Sequence, residues 1–264
     1  MKDRDALKIL SNQVICQNNR LLDSEDVSFI ETPLIQMLFV EGGTFLMNDR
    51  GFTSQASVSS FHIGKYPVTQ REWEIVMDCN PSYFKGKDRP VEKISWFDAV
   101  AFCNRLSALE GFESYYTFNG NDVICNINAD GYRLPAEAEW EFAARGGELS
   151  KGYVFSGSDH LPEVGWFKEN AAKQSMNVGL NKANELGLYD MSGNVWEWCQ
   201  DWYGIYPKSG SKTLCASSPG RYRVIRGGSW MNYADFCKVD YRFEAIPGVG
   251  FAHLGFRLVR SHQG

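Results

Sequence analysis

Apolar residues first recur in an extended pattern at Met37-Leu38-Phe39-Val40 and again at Phe45-Leu46-Met47, with Gly42-Gly43 between them. This predicts two strands joined by a glycine turn. Phe61 to Val68 reads as another short strand. Thr69 then stands where an N-cap belongs, with Glu72 at the capping-box spacing ahead of a helical run. Ser95 and Asp98 repeat that spacing. Val100, Phe102, Cys103 and Leu106 follow at helical intervals, and Gly111 ends the run. Residues 115–131 predict a hairpin turning at Asn119-Gly120. Residues 134–147 predict a third, short helix, with Pro135 near its start and glycines at its end. Residues 1–34 read as a polar N-terminal extension with a weak helical pattern at Leu7, Leu10 and Val14. Residues 35–264 read as one α+β domain with long irregular connections. Such loops in a compact chain are usually functional or pinned by something such as a metal.

The periodicity fails near the end of the chain. Arg226-Gly227-Gly228-Ser229-Trp230 and Leu254-Gly255-Phe256-Arg257-Leu258-Val259-Arg260 enclose MNYADFCKVDYRFEAIPGVGFAH. That filling has no period of two or of 3.6, which packed elements usually show. A patternless, aromatic-rich stretch between regular anchors reads as surface presented for contact.

Composition narrows the possibilities. The chain has 264 residues, 44% of them hydrophobic, and a formal net charge of −5. Nucleic acid is disfavoured as a partner, because phosphate binding needs a concentrated basic surface and no Lys/Arg run exists. No apolar stretch approaches the length of a membrane helix. The start, MKDRDALKIL, lacks the apolar core of a secretory signal, although Met1 can also follow a removed leader. The seven cysteines show neither a CxxC pair nor a Cys/His zinc spacing. They read as mostly buried, reduced thiols rather than a disulfide framework.

Three segments carry a family resemblance. The first is Tyr66-Pro67-Val68-Thr69 with Pro90-Val91-Glu92 and Trp96, Asp98, Ala99. The second runs from Tyr132-Arg133-Leu134-Pro135 through Glu137, Glu139-Trp140-Glu141 and Ala143 to Arg145-Gly146-Gly147. The third is Asn184 with Gly187 to Cys199, Asp201-Trp202-Tyr203, and the two closing anchors. In this order, over residues 35–260, they resemble the formylglycine-generating enzymes, the sulfatase-modifying-factor domain family. The resemblance implies a C-type-lectin-like fold with two main helices, small antiparallel sheets and extensive ordered loops.

It also implies a calcium ion, held by the side chains of Asp190 and Glu197 and the carbonyls of Gly193 and Val195. Two carboxylates brought together favour a hard cation bound through oxygen. The residues leave a second reading open, in which Glu197 pairs with an arginine and tryptophans hold the loop. Trp196, Trp198, Trp202 and Trp230 could form a binding shelf, but large rings more often fill a loop-rich core. Arg226 and Arg257 read as buried ion-pair partners that hold the frame.

Catalysis of the family's oxidase type needs two cysteines, which match positions 232 and 237. Cys237 is present, but position 232 is Asn, and an amide cannot replace the second soft thiolate of a copper(I) site. The related sulfoxide synthases need a His-rich module, and the four histidines here form no paired helical motif. The expectation is therefore a protein that is not an enzyme. The alternative is a divergent thiol oxidase or metalloenzyme using Cys237.

The filling also resembles the variable region in the variable proteins of diversity-generating retroelements. In those systems mutated adenines convert Asn codons into a restricted set of residues. Asn232, Tyr233, Asp235, Phe236, Asp240, Tyr241, Phe243, Ala245, Ile246, Val249, Phe251, Ala252 and His253 belong to that set. Met231, Lys238 and Glu244 do not. The thirteen are the expected ligand-binding residues, about two thirds of them exposed, because Tyr and Phe give large contact area at low entropy cost, as in antibody paratopes. The resemblance implies a monomeric receptor for a protein or other cell-surface ligand. It also implies display at the cell surface, with any lipid anchor outside the visible chain.

Overall fold

Local capping forms the helices where the sequence predicts them. In the computed structural model, which describes residues 33–49, 52–120, 122–204 and 220–262, the N–H of Thr69 donates to Glu72 and that of Ser95 to Asp98. The expected extension over 1–34 lies almost wholly outside the described residues. The first elements are β1 (Met37–Val40), β2 (Gly43–Asp49), β3 (Phe52–Val58) and β4 (Phe61–Gly64). Helices α1 (Gln70–Met77) and α2 (Trp96–Leu109) follow, then the hairpin of β5 (Tyr116–Asn119) and β6 (Asp122–Cys125). Next come α3 (Glu137–Ala144) and the single turn α4 (Leu161–Val164). The chain ends with β7 (Trp196–Trp202), β8 (Arg223–Arg226), β9 (Arg242–Ala245), β10 (Leu254–Gly255) and β11 (Val259–Ser261).

One sheet has the order β1-β4-β11 and a second β10-β7-β8-β9. All pairings are antiparallel except β10 with β7. The predicted Gly42-Gly43 turn does not pair the strands it joins. β1 pairs with β4, and β2 pairs with β3, so the glycines carry the chain from one sheet to another. The crossing is tight: a Cβ on Gly42 would lie 2.6 Å from the Val58 carbonyl oxygen.

The main core lies between the first two helices and the four-stranded sheet. Trp73 stacks on Phe102 at 5.3 Å, and Phe256 meets both rings edge-on. Burying each such side chain contributes about 2–3 kcal/mol. A second core forms under α3 from Val40, Phe61, Ile63, Trp140 and Leu188. A third, small cluster joins Phe155, Leu161, Val164 and Phe167 to Cys237. Cys103, Cys199 and Cys237 are free thiols, as the sequence suggests, whereas Cys79 is disulfide-bonded. No helix among the described residues is long and apolar enough to cross a membrane.

Candidate ligand-binding surface

Helix α3 turns Glu137 and Glu141 toward Arg226 and Arg242 in the last forty residues of the chain. Arg226 donates to Glu137 at 3.1 Å and to Glu141 at 2.5 Å, and Arg242 grips Glu137 with two bonds of 2.7 and 2.8 Å. Arg257 holds both oxygens of Glu197, at 2.6 and 2.7 Å. Arg226 and Arg257 are thus the ion-pair partners the sequence suggests. Such buried pairs add little net stability but fix geometry, because breaking one strands a charge. Burial raises the Glu141 carboxyl, and the Arg226 and Arg145 charges pull it back.

The same frame holds the loop between the anchors by its main chain. Arg226 donates to the Val239 carbonyl at 2.8 Å, and the Trp230 indole donates to that of Ala252 at 3.1 Å. The Lys168, Trp96, Lys93 and Trp196 N–H groups donate to the carbonyls of Asn232, Pro247, Phe251 and His253. The N–H of Val239 donates to the carbonyl of Val154. These bonds use backbone atoms of the loop, so its side chains can differ without breaking them. The approach is close at Gly250, where a Cβ would meet the Lys93 carbonyl carbon at 2.4 Å.

The thirteen expected residues divide by position. Tyr233, Asp235, Phe243, Ile246 and Phe251 are exposed. Asn232, Phe236, Asp240, Tyr241, Val249, Ala252 and His253 are half-buried. Ala245 is buried in the main core, which corrects its assignment to the surface. Exposure of two thirds is therefore too high an expectation. The loop is not free: a 3-10 turn at Ala234–Cys237 and strand β9 direct some of its side chains inward. Phe236 packs on Tyr241 at 5.0 Å, and Trp196 lies beneath Tyr241 and Phe243 at 6.2 and 5.9 Å. Phe251 stacks on His253, and the Tyr233 hydroxyl accepts from Lys168 at 2.8 Å. Burial lowers the His253 pKa.

The tryptophans mostly fill core, as expected. Trp196 and Trp198 are buried, Trp202 stacks under Arg223, and Trp230 is half-buried at the surface edge. Trp230 meets Phe84 edge-on at 5.3 Å, and Phe84 meets the exposed Tyr83 at 4.9 Å. No periodicity in the chain sets these two rings apart. The available signal was a pair of adjacent aromatics directly after the turn-forming Asn80-Pro81-Ser82.

The two carboxylates expected to hold calcium are both engaged by protein donors. Both Glu197 oxygens are taken by Arg257, and one also accepts from the Trp140 indole at 2.6 Å. Asp190 accepts from the Gly179 N–H at 2.8 Å and from Asn194 at 3.3 Å. Burial raises the Asp190 pKa to about 6, against the pull of these donors. Glu197 is thus paired with an arginine, as in the second reading of the sequence. No group of three or more His, Cys, Asp or Glu side chains that could hold a metal occurs among the described residues.

Cys237 is buried, and burial pushes its thiol up to about 12. Its sulfur packs so closely on Gly228 that a Cβ there would lie 2.6 Å away. At position 232 the amide oxygen accepts from the Trp196 indole at 2.9 Å and from the Ser229 hydroxyl at 2.5 Å. A thiol in this state is a poor nucleophile and a poor metal ligand.

Together these features define a lectin-like α+β domain with a backbone-pinned aromatic surface where the two-thiol centre would be. The chain belongs to the sulfatase-modifying factor enzyme 1-like domain family, which it matches over residues 24–262. It is 39% identical over 260 residues to chaperone protein LppX of Paenibacillus barcinonensis, covering 85% of this chain and 89% of that protein. It is 31% identical over 209 residues to the formylglycine-generating enzyme of Thermomonospora curvata, covering 70% of this chain and 60% of the enzyme's length. Its structure is similar to that of Treponema denticola variable protein 1, with a TM-score of 0.80 and 34% identity, covering 86% of this chain and 95% of that one.

Proposed function

We propose that this chain is a non-catalytic binding protein that presents residues 232–253 to a protein ligand, and that a retroelement diversifies this surface. One observation carries the reading. Five side chains, Tyr233, Asp235, Phe243, Ile246 and Phe251, stand exposed on a loop whose backbone is fixed by residues outside it. The likeness to the Treponema denticola variable protein supports the same reading. Display at the cell surface belongs to this proposal.

The test uses peptides selected from a random-sequence display library on the purified chain. Replacing Tyr233, Phe243, Ile246 and Phe251 with Ala should leave the melting curve nearly unchanged and abolish peptide binding. Retained binding would overturn the assignment. The retroelement is tested in the genome, by a near-copy of the 3′ coding region beside a reverse transcriptase gene.

A second reading is a binding surface of fixed specificity, favoured by the relative named as a chaperone. Clonal isolates with identical residues 232–253 would support it over diversification.

A further inference from the structure

The variable loop covers only part of the aromatic surface. Tyr83 is 68% exposed, a large ring left in water on a segment that is tightly braced. The Gln70 side chain donates to the Phe84 carbonyl at 2.7 Å and accepts from the Gly86 N–H and the Asn80 amide at 3.0 and 2.9 Å. Glu92 accepts from the Phe84 N–H at 2.8 Å, and Asn80 accepts from the Ser82 N–H at 3.0 Å. Gln70 and Glu92 are both fully buried. The other Glu92 oxygen, Oε2, is buried without a hydrogen-bond partner. Burying polar groups in this way costs free energy, and the result is a fixed turn with an aromatic tip pointing outward.

The tip is joined to the variable loop. Tyr83 meets Phe84 edge-on, and Phe84 meets Trp230 edge-on at 87°. Trp230 is tied to the loop by its indole bond to the Ala252 carbonyl and to the frame by its N–H bond to the Asn194 carbonyl. Tyr83, Phe84 and Trp230 thus hold a set position beside the loop, and all three lie outside the thirteen variable residues.

We propose that Tyr83, Phe84 and Trp230 form a constant half of the ligand surface, which grips an aromatic or long aliphatic side chain of the protein ligand whatever the variable residues are. The proposal rests on the binding function argued above. A ring held rigidly before binding loses little entropy when a ligand side chain packs on it, which is what an anchor shared by many ligands requires. The variable loop then sets which ligand is chosen, and the constant rings supply affinity common to all.

The test uses the full chain and two sets of peptides from a random-sequence display library. One set is selected on the wild-type chain. The other is selected on a chain carrying Tyr233→Asn, Phe243→Tyr, Ile246→Asn and Phe251→Tyr. Affinities of labelled synthetic peptides are read by fluorescence anisotropy, and circular dichroism checks folding. Tyr83→Ala should weaken both sets by about tenfold or more, the scale of a binding hot spot. Tyr83→Phe should retain most of the affinity. Phe243→Ala should weaken only the wild-type set. Leu46→Ala, at an exposed position on β2, should weaken neither. If Tyr83→Ala leaves both sets unchanged while Phe243→Ala weakens the first, the constant half is wrong and the variable surface stands. If neither change has an effect, the binding function falls as well.

Discussion

Arg226 donates to Glu141 across 2.5 Å with neither side chain exposed, and the same guanidinium holds the Val239 carbonyl at 2.8 Å. One cation thus couples helix α3 to the loop that carries the exposed rings. Arg226→Met removes both links and leaves buried carboxylates with fewer partners. It should cost about 3–5 kcal/mol in urea unfolding, as expected for breaking a buried pair. Arg226→Met combined with Glu141→Gln should recover part of that loss, because the stranded charge is gone. A cost below about 1 kcal/mol for Arg226→Met would place the pair among contacts of no consequence.

Cys237 should behave as a packing residue. With its thiol near 12, only about one molecule in ten thousand carries a thiolate at pH 8. Ellman's reagent should therefore count the same number of fast-reacting thiols in native wild type and in Cys237→Ser. The substitution puts a hydroxyl into the cluster of Phe155, Leu161, Val164 and Phe167, and should cost about 1–3 kcal/mol. Copper titration of the reduced protein gives the opposing outcome. Tight stoichiometric copper binding, lost in Cys237→Ser, would restore the thiol-oxidase alternative.

The helices were legible because their signals are local. Thr69 with Glu72 and Ser95 with Asp98 act within one turn. The sheets were less so. β4 lies between β1 and β11, and no spacing in the chain announces a partner almost two hundred residues away. The irregular course of the loop between the closing anchors was legible from its missing period. The direction of each side chain was not, because the 3-10 turn and β9 bury alternate parts of it. Ala245 was misplaced for that reason. The sequence does not choose between calcium and arginine for Glu197, since Arg257 lies 60 positions away. Tyr83 was missed because its brace comes from Gln70 and Glu92, which the sequence gives no reason to join.

Glu92 should make stability depend on pH. Burial raises its carboxyl from 4.5 to about 7, against the pull of the Phe84 and Tyr83 N–H groups and of Lys85 and Lys93. The folded chain therefore binds this proton more tightly than the unfolded chain. The stabilising contribution is fully present below 4.5 and is lost as pH rises through about 7. That displacement corresponds to roughly 3–3.5 kcal/mol. Glu92→Gln keeps an oxygen for the Phe84 N–H and removes the charge. Asp190, raised to about 6, titrates in the same direction, whereas His253, lowered by burial, titrates in the opposite one. The informative quantity is therefore the stability of Glu92→Gln minus that of wild type, measured by urea unfolding from pH 4.5 to 8. It should grow across this range and level off above about pH 7.5. A difference that stays flat would mean that Glu92 keeps an ordinary carboxyl pKa, and that the turn bearing Tyr83 is braced by a carboxylate that stays ionised through this range.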